Sequence, residues 1–294
     1  MPGTGSVNLT PVSSSYKCNA AGRIQPPCST ARDPLRRPFS CYGRSMAETE
    51  TIQIETPTGL WLAGVLHHPY NAGNRLGVVV AHGRLSSKDS DKHRSICEAV
   101  AARGATALRF DFRGRGESDG DPAELTVSNE IEDLLASDAS LRSRGLSRIA
   151  VVGSSLGGTV ALLAGARDRG LEGLVTIAAP ARLPKAPRQA WGGSGRGDSE
   201  ACIEVAPGEF IDAAFFRDAA RHDVVGAART INCPWLIIHG AADPVVPVED
   251  VEILAENAPN AELMIHATAG HRFDQAEERG WLIERVTGFI KSRL

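Results

Sequence analysis

The sequence predicts an α/β fold, with a mostly parallel central sheet, helices on both faces and a small cap insertion. Two observations predict it. From Thr51 onward, short β-branched or apolar runs alternate with longer helical patterns, as in successive strand–helix units. Gly77–Ala81 is moreover an unbroken apolar run, the mark of a strand buried on both faces.

The elements follow in order. Thr51–Thr56 and Leu60–His68, joined through Pro57-Thr58-Gly59, predict an opening hairpin. Gly77–Ala81 is the next strand, about Asp91–Arg103 a helix, and Ala105–Phe110 a strand. Glu130–Arg144 predicts a helix, Arg148–Gly153 a strand, Leu156–Asp168 a helix and Leu174–Ala178 a strand. Residues 180–208 break the alternation with Pro and Gly, and an apolar helix near Phe210–Ala220 leads into the strand Trp235–His239. A helix near Val248–Asn257, a short strand Glu262–Ile265 and a closing helix Gln275–Lys291 complete the pattern.

Of 294 residues, 42% are hydrophobic and 23% charged, enough for one substantial core. Residues 1–45 carry six basic side chains against the single acid Asp33; removing that +5 from the net −3 leaves −8 on residues 46–294. An acidic body offers no broad basic face, which disfavours nucleic acid as a partner and favours a small molecule. The extension 1–45 is rich in Ser, Thr, Pro and Arg, without helical or strand period, and is expected to be disordered in isolation. Its composition resembles an organelle transit peptide, chloroplast or mitochondrial; the alternative is an upstream extension of a cytoplasmic protein that starts at Met46. The domain is then 46–294, with a cap over about 181–232. Six scattered cysteines lack metal-ligand spacing, no apolar run is long enough to span a bilayer, and a secretory h-region is missing, so an intracellular soluble protein is expected.

The chemistry centres on Gly153-Ser154-Ser155-Leu156-Gly157, which lies where a predicted strand turns straight into a helix. Such a turn strains the backbone, lifts the Ser155 hydroxyl out and sets it at a helix N-terminus that favours developing negative charge. A serine hydroxyl needs a base, and His271, between the last strand and the last helix, is placed to supply it. The imidazolium needs a carboxylate, and Asp243 follows the strand Trp235–His239 on the turn Gly240-Ala241-Ala242-Asp243-Pro244. Two backbone N–H groups are candidate oxyanion donors: that of Leu156, and that of Arg84 in the loop His82-Gly83-Arg84, with Gly83 or Leu85 as alternatives to Arg84. Trp191, Phe210 and Phe215 either line a substrate pocket or, for the phenylalanines, pack a helix onto the core.

With Ser155, Asp243 and His271 in that chain order, the sequence resembles the α/β-hydrolase fold family, in its group of small esterases and serine-aminopeptidase-like hydrolases. Ala81-His82-Gly83, Ser86-Ser87-Lys88-Asp89, the run Arg109–Ser118 and Ile238-His239-Gly240 support the resemblance over residues 50–294, and feruloyl-esterase-like members are the most similar. It implies an acyl-enzyme route without a cofactor. Arg84 departs from the apolar or aromatic residue usual in those relatives, and the short Gly-rich segment between Pro180 and Cys233 implies a small, mobile cap.

Other motifs carry less. Arg113-Gly114-Arg115-Gly116 lacks the third glycine of a dinucleotide fingerprint, Arg196-Gly197-Asp198 and Asn8-Leu9-Thr10 have meaning only in an exported chain, and His67-His68 lacks a third ligand for a metal. The expectation is a serine hydrolase of a small-molecule carboxylic ester or thioester. An aminopeptidase or amide hydrolase, and a non-catalytic ligand-binding member of the fold, are the alternatives; substrate and oligomeric state are left open.

Overall fold

The computed structural model describes residues 48–69, 75–122, 125–184, 202–206 and 209–293, all within the compact unit Met46–Leu294. The extension 1–45 lies outside the described residues. Strands β1 (Thr49–Glu55) and β2 (Trp61–His67) form the expected hairpin, register Ile52 opposite Gly64. Their alternating burial reflects a sheet edge covered on one face only. β3 (Leu76–Ala81), β4 (Thr106–Phe110) and β9 (Trp235–Gly240) are buried at every position, as strands between two helical layers must be, and β4 and β9 bury the polar side chains of Arg109 and His239 along with their apolar residues.

With β5 (Arg148–Ser154), β6 (Leu171–Ile177) and β10 (Ala261–His266), these make an eight-stranded sheet in the order β1-β2-β4-β3-β5-β6-β9-β10. From β4 to β10 every pairing is parallel; β2 joins β4 antiparallel. Helices α1 (Asp91–Ala101) and α7 (Ala276–Arg293) cover one face, burying Ile96, Val100, Leu282 and Val286 with Val78 and Ile238. On the other face α2 (Val127–Ser143), α3 (Leu156–Arg167) and α6 (Val248–Asn257) close over Leu108, Ile149 and Ile237.

The segment between β6 and β9 differs from its sequence reading. Phe210 belongs to β8 (Glu209–Asp212), paired antiparallel with β7 (Cys202–Ala206), and the helix α4 starts only at Ala213, ending at Ala219. Asp212 sets that start by accepting a hydrogen bond from the Ala214 N–H at 2.6 Å. A further short helix, α5 (Val224–Ala228), was not foreseen. Nor is the described part of the insertion loosely attached. The Asp218 carboxylate accepts from the N–H and hydroxyl of Ser128 at 2.9 and 2.7 Å, tying α4 to the start of α2. Asp250 on α6 accepts from the N–H groups of Ala181 and Arg182 at 2.9 and 3.1 Å, pinning the segment's entry.

Candidate active site

Four loops at the carboxyl ends of the parallel strands surround a cavity of about 910 Å³. They follow β3, β5, β9 and β10, and the first turns of α1 and α7 complete the wall. Ser155 stands between β5 and α3 with φ 55° and ψ −126°, a region that non-glycine residues rarely occupy. Its N–H donates to Ile177 O at 2.8 Å, which anchors the turn to β6. The flanking glycines are required by close approach: a Cβ on Gly153 would collide with Gly157 O, and one on Gly157 with His82 O.

The structure brings Ser155, His271 and Asp243 together from three loops. His271 Nε2 lies 2.9 Å from Ser155 Oγ, and His271 Nδ1 lies 2.7 Å from Asp243 Oδ2. Asp243 also accepts from the N–H groups of Val245 and Val246 at 2.7 and 3.0 Å. Burial works to raise its pKa, but the His271 bond and these amides outweigh it and hold the carboxyl below its usual range. Gly240 lets the two loops mesh, since a Cβ there would run into Ala269 O. Beyond His271 the chain turns through Phe273 at φ 55°, a buried residue on the cavity wall.

The loop after β3 lies against Ser155, close enough that a Cβ on Gly83 would stand 2.9 Å from Ser155 Cβ. His82 fixes its backbone. Its Nε2 accepts from the Phe112 N–H at 3.2 Å, so Nδ1 carries the hydrogen and donates to Gly83 O at 2.8 Å. Burial lowers the His82 pKa and favours this neutral ring. With the Gly83 carbonyl held, the orientation of the planar peptide bearing the Arg84 N–H is held too. Leu156 opens α3, where helix geometry leaves the N–H without an intrahelical acceptor.

Behind this loop lies a charge network that motif reading missed. The buried Lys88 ammonium donates to Asp111, Asp89 and Glu117 at 3.0, 2.9 and 2.5 Å, and the Lys88 N–H donates to Asp111 Oδ1 at 2.7 Å. Arg109 donates to Lys88 O at 3.1 Å. Ser86–Asp89 and Arg109–Ser118, recognisable only as family strings, are therefore two halves of one clamp on the loop that faces Ser155. Sequence signals for it are weak, because 23 residues separate Lys88 from Asp111.

The pocket residues fare differently. Phe215 is fully buried in the core with Ile211 and Phe216 and does not line the cavity, which corrects its reading as a pocket residue. An apolar residue on the inner face of α4 is drawn into the core rather than toward the site. Phe210 has its backbone in β8, and its side chain, like Trp191, lies outside the described residues. Arg84 lines the cavity, largely buried. Among the described residues no group of three His, Cys, Asp or Glu side chains could hold a metal, and no helix is long and apolar enough to cross a membrane.

Comparison with known proteins agrees with this architecture. The serine aminopeptidase S33 family model (Hydrolase_4) matches residues 73–193. Rat (Rattus norvegicus) mitochondrial palmitoyl-protein thioesterase ABHD10 is 26% identical over 235 residues, 74% of this chain and 76% of that protein. Est1E from Butyrivibrio proteoclasticus, solved with ferulic acid bound, superposes with a TM-score of 0.76 at 22% identity, over 82% of this chain and 98% of Est1E. The chain is a serine hydrolase of the α/β-hydrolase superfamily. The Pyrococcus furiosus esterase Pf2001 matches this hydrolase with a TM-score of 0.65 at 27% identity, over 83% of this chain and 92% of the esterase.

Proposed function

We propose that this hydrolase cleaves a small-molecule carboxylic ester or thioester in two steps, with Ser155 as nucleophile, His271 as general base and Asp243 as the carboxylate that orients it. One observation carries the reading: a continuous hydrogen-bonded relay, Ser155 Oγ to His271 at 2.9 Å and His271 to Asp243 at 2.7 Å, ends on a strained strand-to-helix turn facing the cavity. His271 Nε2 takes the Ser155 proton as Oγ attacks the carbonyl carbon, and Asp243 keeps Nδ1 protonated and balances the imidazolium. The oxyanion rests on the N–H groups of Leu156 and Arg84, each such donor contributing on the order of 3 kcal/mol to the transition state. His271 then returns the proton to the departing alcohol or thiol. Water, activated in turn by His271, releases the acid and restores Ser155.

The names of similar proteins support this class: ABHD10 is a palmitoyl-protein thioesterase and Pf2001 an esterase. Residues 181–232 serve as a small cap in this reading. Residues 1–45 act as an organelle-targeting extension, as fits their composition and the mitochondrial label of ABHD10.

A fluorophosphonate probe tests the assignment on the full chain. Wild type is expected to label and to turn over p-nitrophenyl acetate or butyrate, while Ser155→Ala loses labelling and drops turnover by on the order of 10⁴-fold. A folded wild type that neither labels nor cleaves any ester would sink it in favour of a ligand-binding member of the fold.

A further inference from the structure

One cation on the cavity wall has no task in hydrolysis itself. Lys92, the second residue of α1, lines the cavity half-buried and donates from Nζ to Ser154 Oγ at 2.7 Å. Ser154 directly precedes the nucleophile, and both serines line the same cavity. Among the described residues, no carboxylate lies within 4.0 Å of the Lys92 ammonium. Lys88, four residues earlier, shows the contrasting treatment of a structural lysine, with three carboxylates around one ammonium.

The acids on the cavity wall are engaged elsewhere. Asp91 pairs with Arg94 at 2.9 Å, Asp274 faces Arg272 at 3.7 Å, and both are largely exposed to water. Glu278 accepts from the Gln275 N–H. A charge withdrawn from water next to a neutral hydroxyl is costly unless a bound group of opposite sign completes its shell. Burial, reinforced by the Arg272 guanidinium and only partly opposed by the Asp274 and Asp243 carboxylates, neither of which pairs with it, brings the Lys92 ammonium down to about 8, so it stays mostly charged at neutral pH. The cavity rim, by contrast, is apolar at Leu85 and Val245, which come from the loops after β3 and β9 and stand exposed.

We propose that Lys92 is the counter-ion for an acidic group of the substrate, so that the cavity takes an ester or thioester bearing a carboxylate or phosphate a few bonds from the scissile carbonyl. The inference rests on Ser155 being the nucleophile, and it narrows the substrate class of that site. An anion docked on Nζ replaces the missing carboxylate and holds the carbonyl within reach of Oγ. The apolar remainder of the substrate lies along Leu85 and Val245.

The full-length enzyme and its Lys92→Met and Lys92→Arg variants are assayed on three esters. These are p-nitrophenyl butyrate, mono-p-nitrophenyl glutarate with the acid on the acyl side, and 3-carboxy-4-nitrophenyl butyrate with the acid on the leaving group. Wild type is expected to prefer one acidic ester over the neutral one by about tenfold or more in kcat/KM, as a charge-assisted contact warrants. Which acidic ester it is tells the side on which Lys92 acts. In Lys92→Met that ratio falls toward one, chiefly through KM, and Lys92→Arg restores part of it. Wild type that cleaves butyrate well with no preference for either acidic ester overturns the proposal. So does an equal loss on all three esters in Lys92→Met, which would make Lys92 a support for the Ser154 turn. Failure of wild type both to label with fluorophosphonate and to cleave any of the three sinks the hydrolytic reading itself, and the proposal with it.

Discussion

Ser155 holds a backbone conformation that costs roughly 1–3 kcal/mol for a side-chain-bearing residue, and it persists because neighbours leave no alternative. Its N–H is bound to β6 and its flanking glycines are pressed against His82 O and Gly157 O. That strain is what made the residue legible: a glycine-flanked serine where one periodicity gives way to another has few uses. Asp243 and His271 were legible for a related reason, since each follows a recognisable strand at the end where the loops converge. Lys88, Asp111 and Lys92 were not. Charges at such positions read as solvated surface until the fold closes over them.

Glu130 belongs to the same class of hidden charge. It is buried on α2 with Oε2 making no hydrogen bond, and burial, with Asp133 alongside, pushes its carboxyl up from 4.5 to about 8. Between those pH values the native state holds a proton that the unfolded chain has lost, so Glu130 makes stability fall as pH rises, by on the order of 1 kcal/mol per pH unit. Glu130→Gln is expected to remove that slope. Thermal unfolding of variant and wild type should converge near pH 4.5, with the variant gaining steadily up to pH 8. Parallel curves over this range would contradict it.

At the scale of elements, the buried parallel strands were the easiest to read, because Val78-Val79-Val80 and Leu236-Ile237-Ile238 admit little else. The insertion was the hardest. Phe210, Ile211 and Ala213 continue an apolar pattern that fits a helix, yet Asp212 caps the helix from within that run and leaves Phe210 in a strand. Helix α5 has five residues, too few for a period to show. α4 itself is a piece of the core carried by the insertion, with Phe215 and Phe216 packed edge to face at 5.4 Å. Phe215→Ala should therefore destabilise the protein by about 3–5 kcal/mol, with a cavity left behind. Its preference among acyl chain lengths, measured well below the lowered Tm, should stay that of wild type. A shift in chain-length preference without loss of Tm would return Phe215 to the pocket.

For the whole molecule, the sheet order places β3 and β5 at the centre and β9 two strands along, with their carboxyl ends on the same side, so the loops that meet around Ser155 share one edge of a rigid platform. The alternation of strand and helix was enough to foresee that arrangement; the antiparallel entry of β2 beside β4 was not, since pairing across 40 residues leaves no local trace. Residues 1–45 contribute a +5 charge and no readable core pattern. Their removal is expected to leave Tm within about 2 °C and kcat/KM within twofold, as judged by calorimetry and the same esterase assays. A large loss of Tm would show that the extension packs on the hydrolase unit.

The edge position of β10 has a consequence for how the site is completed. Ser155 and His271 are 116 residues apart, and the histidine's loop hangs from β10, an edge strand that pairs with β9 alone. On the proposed assignment, a sheet that lacks β10 would carry the serine without its base. Hydrolytic competence on that assignment requires the last strand in place on the sheet, and a chain without that closure would be silent toward esters and thioesters.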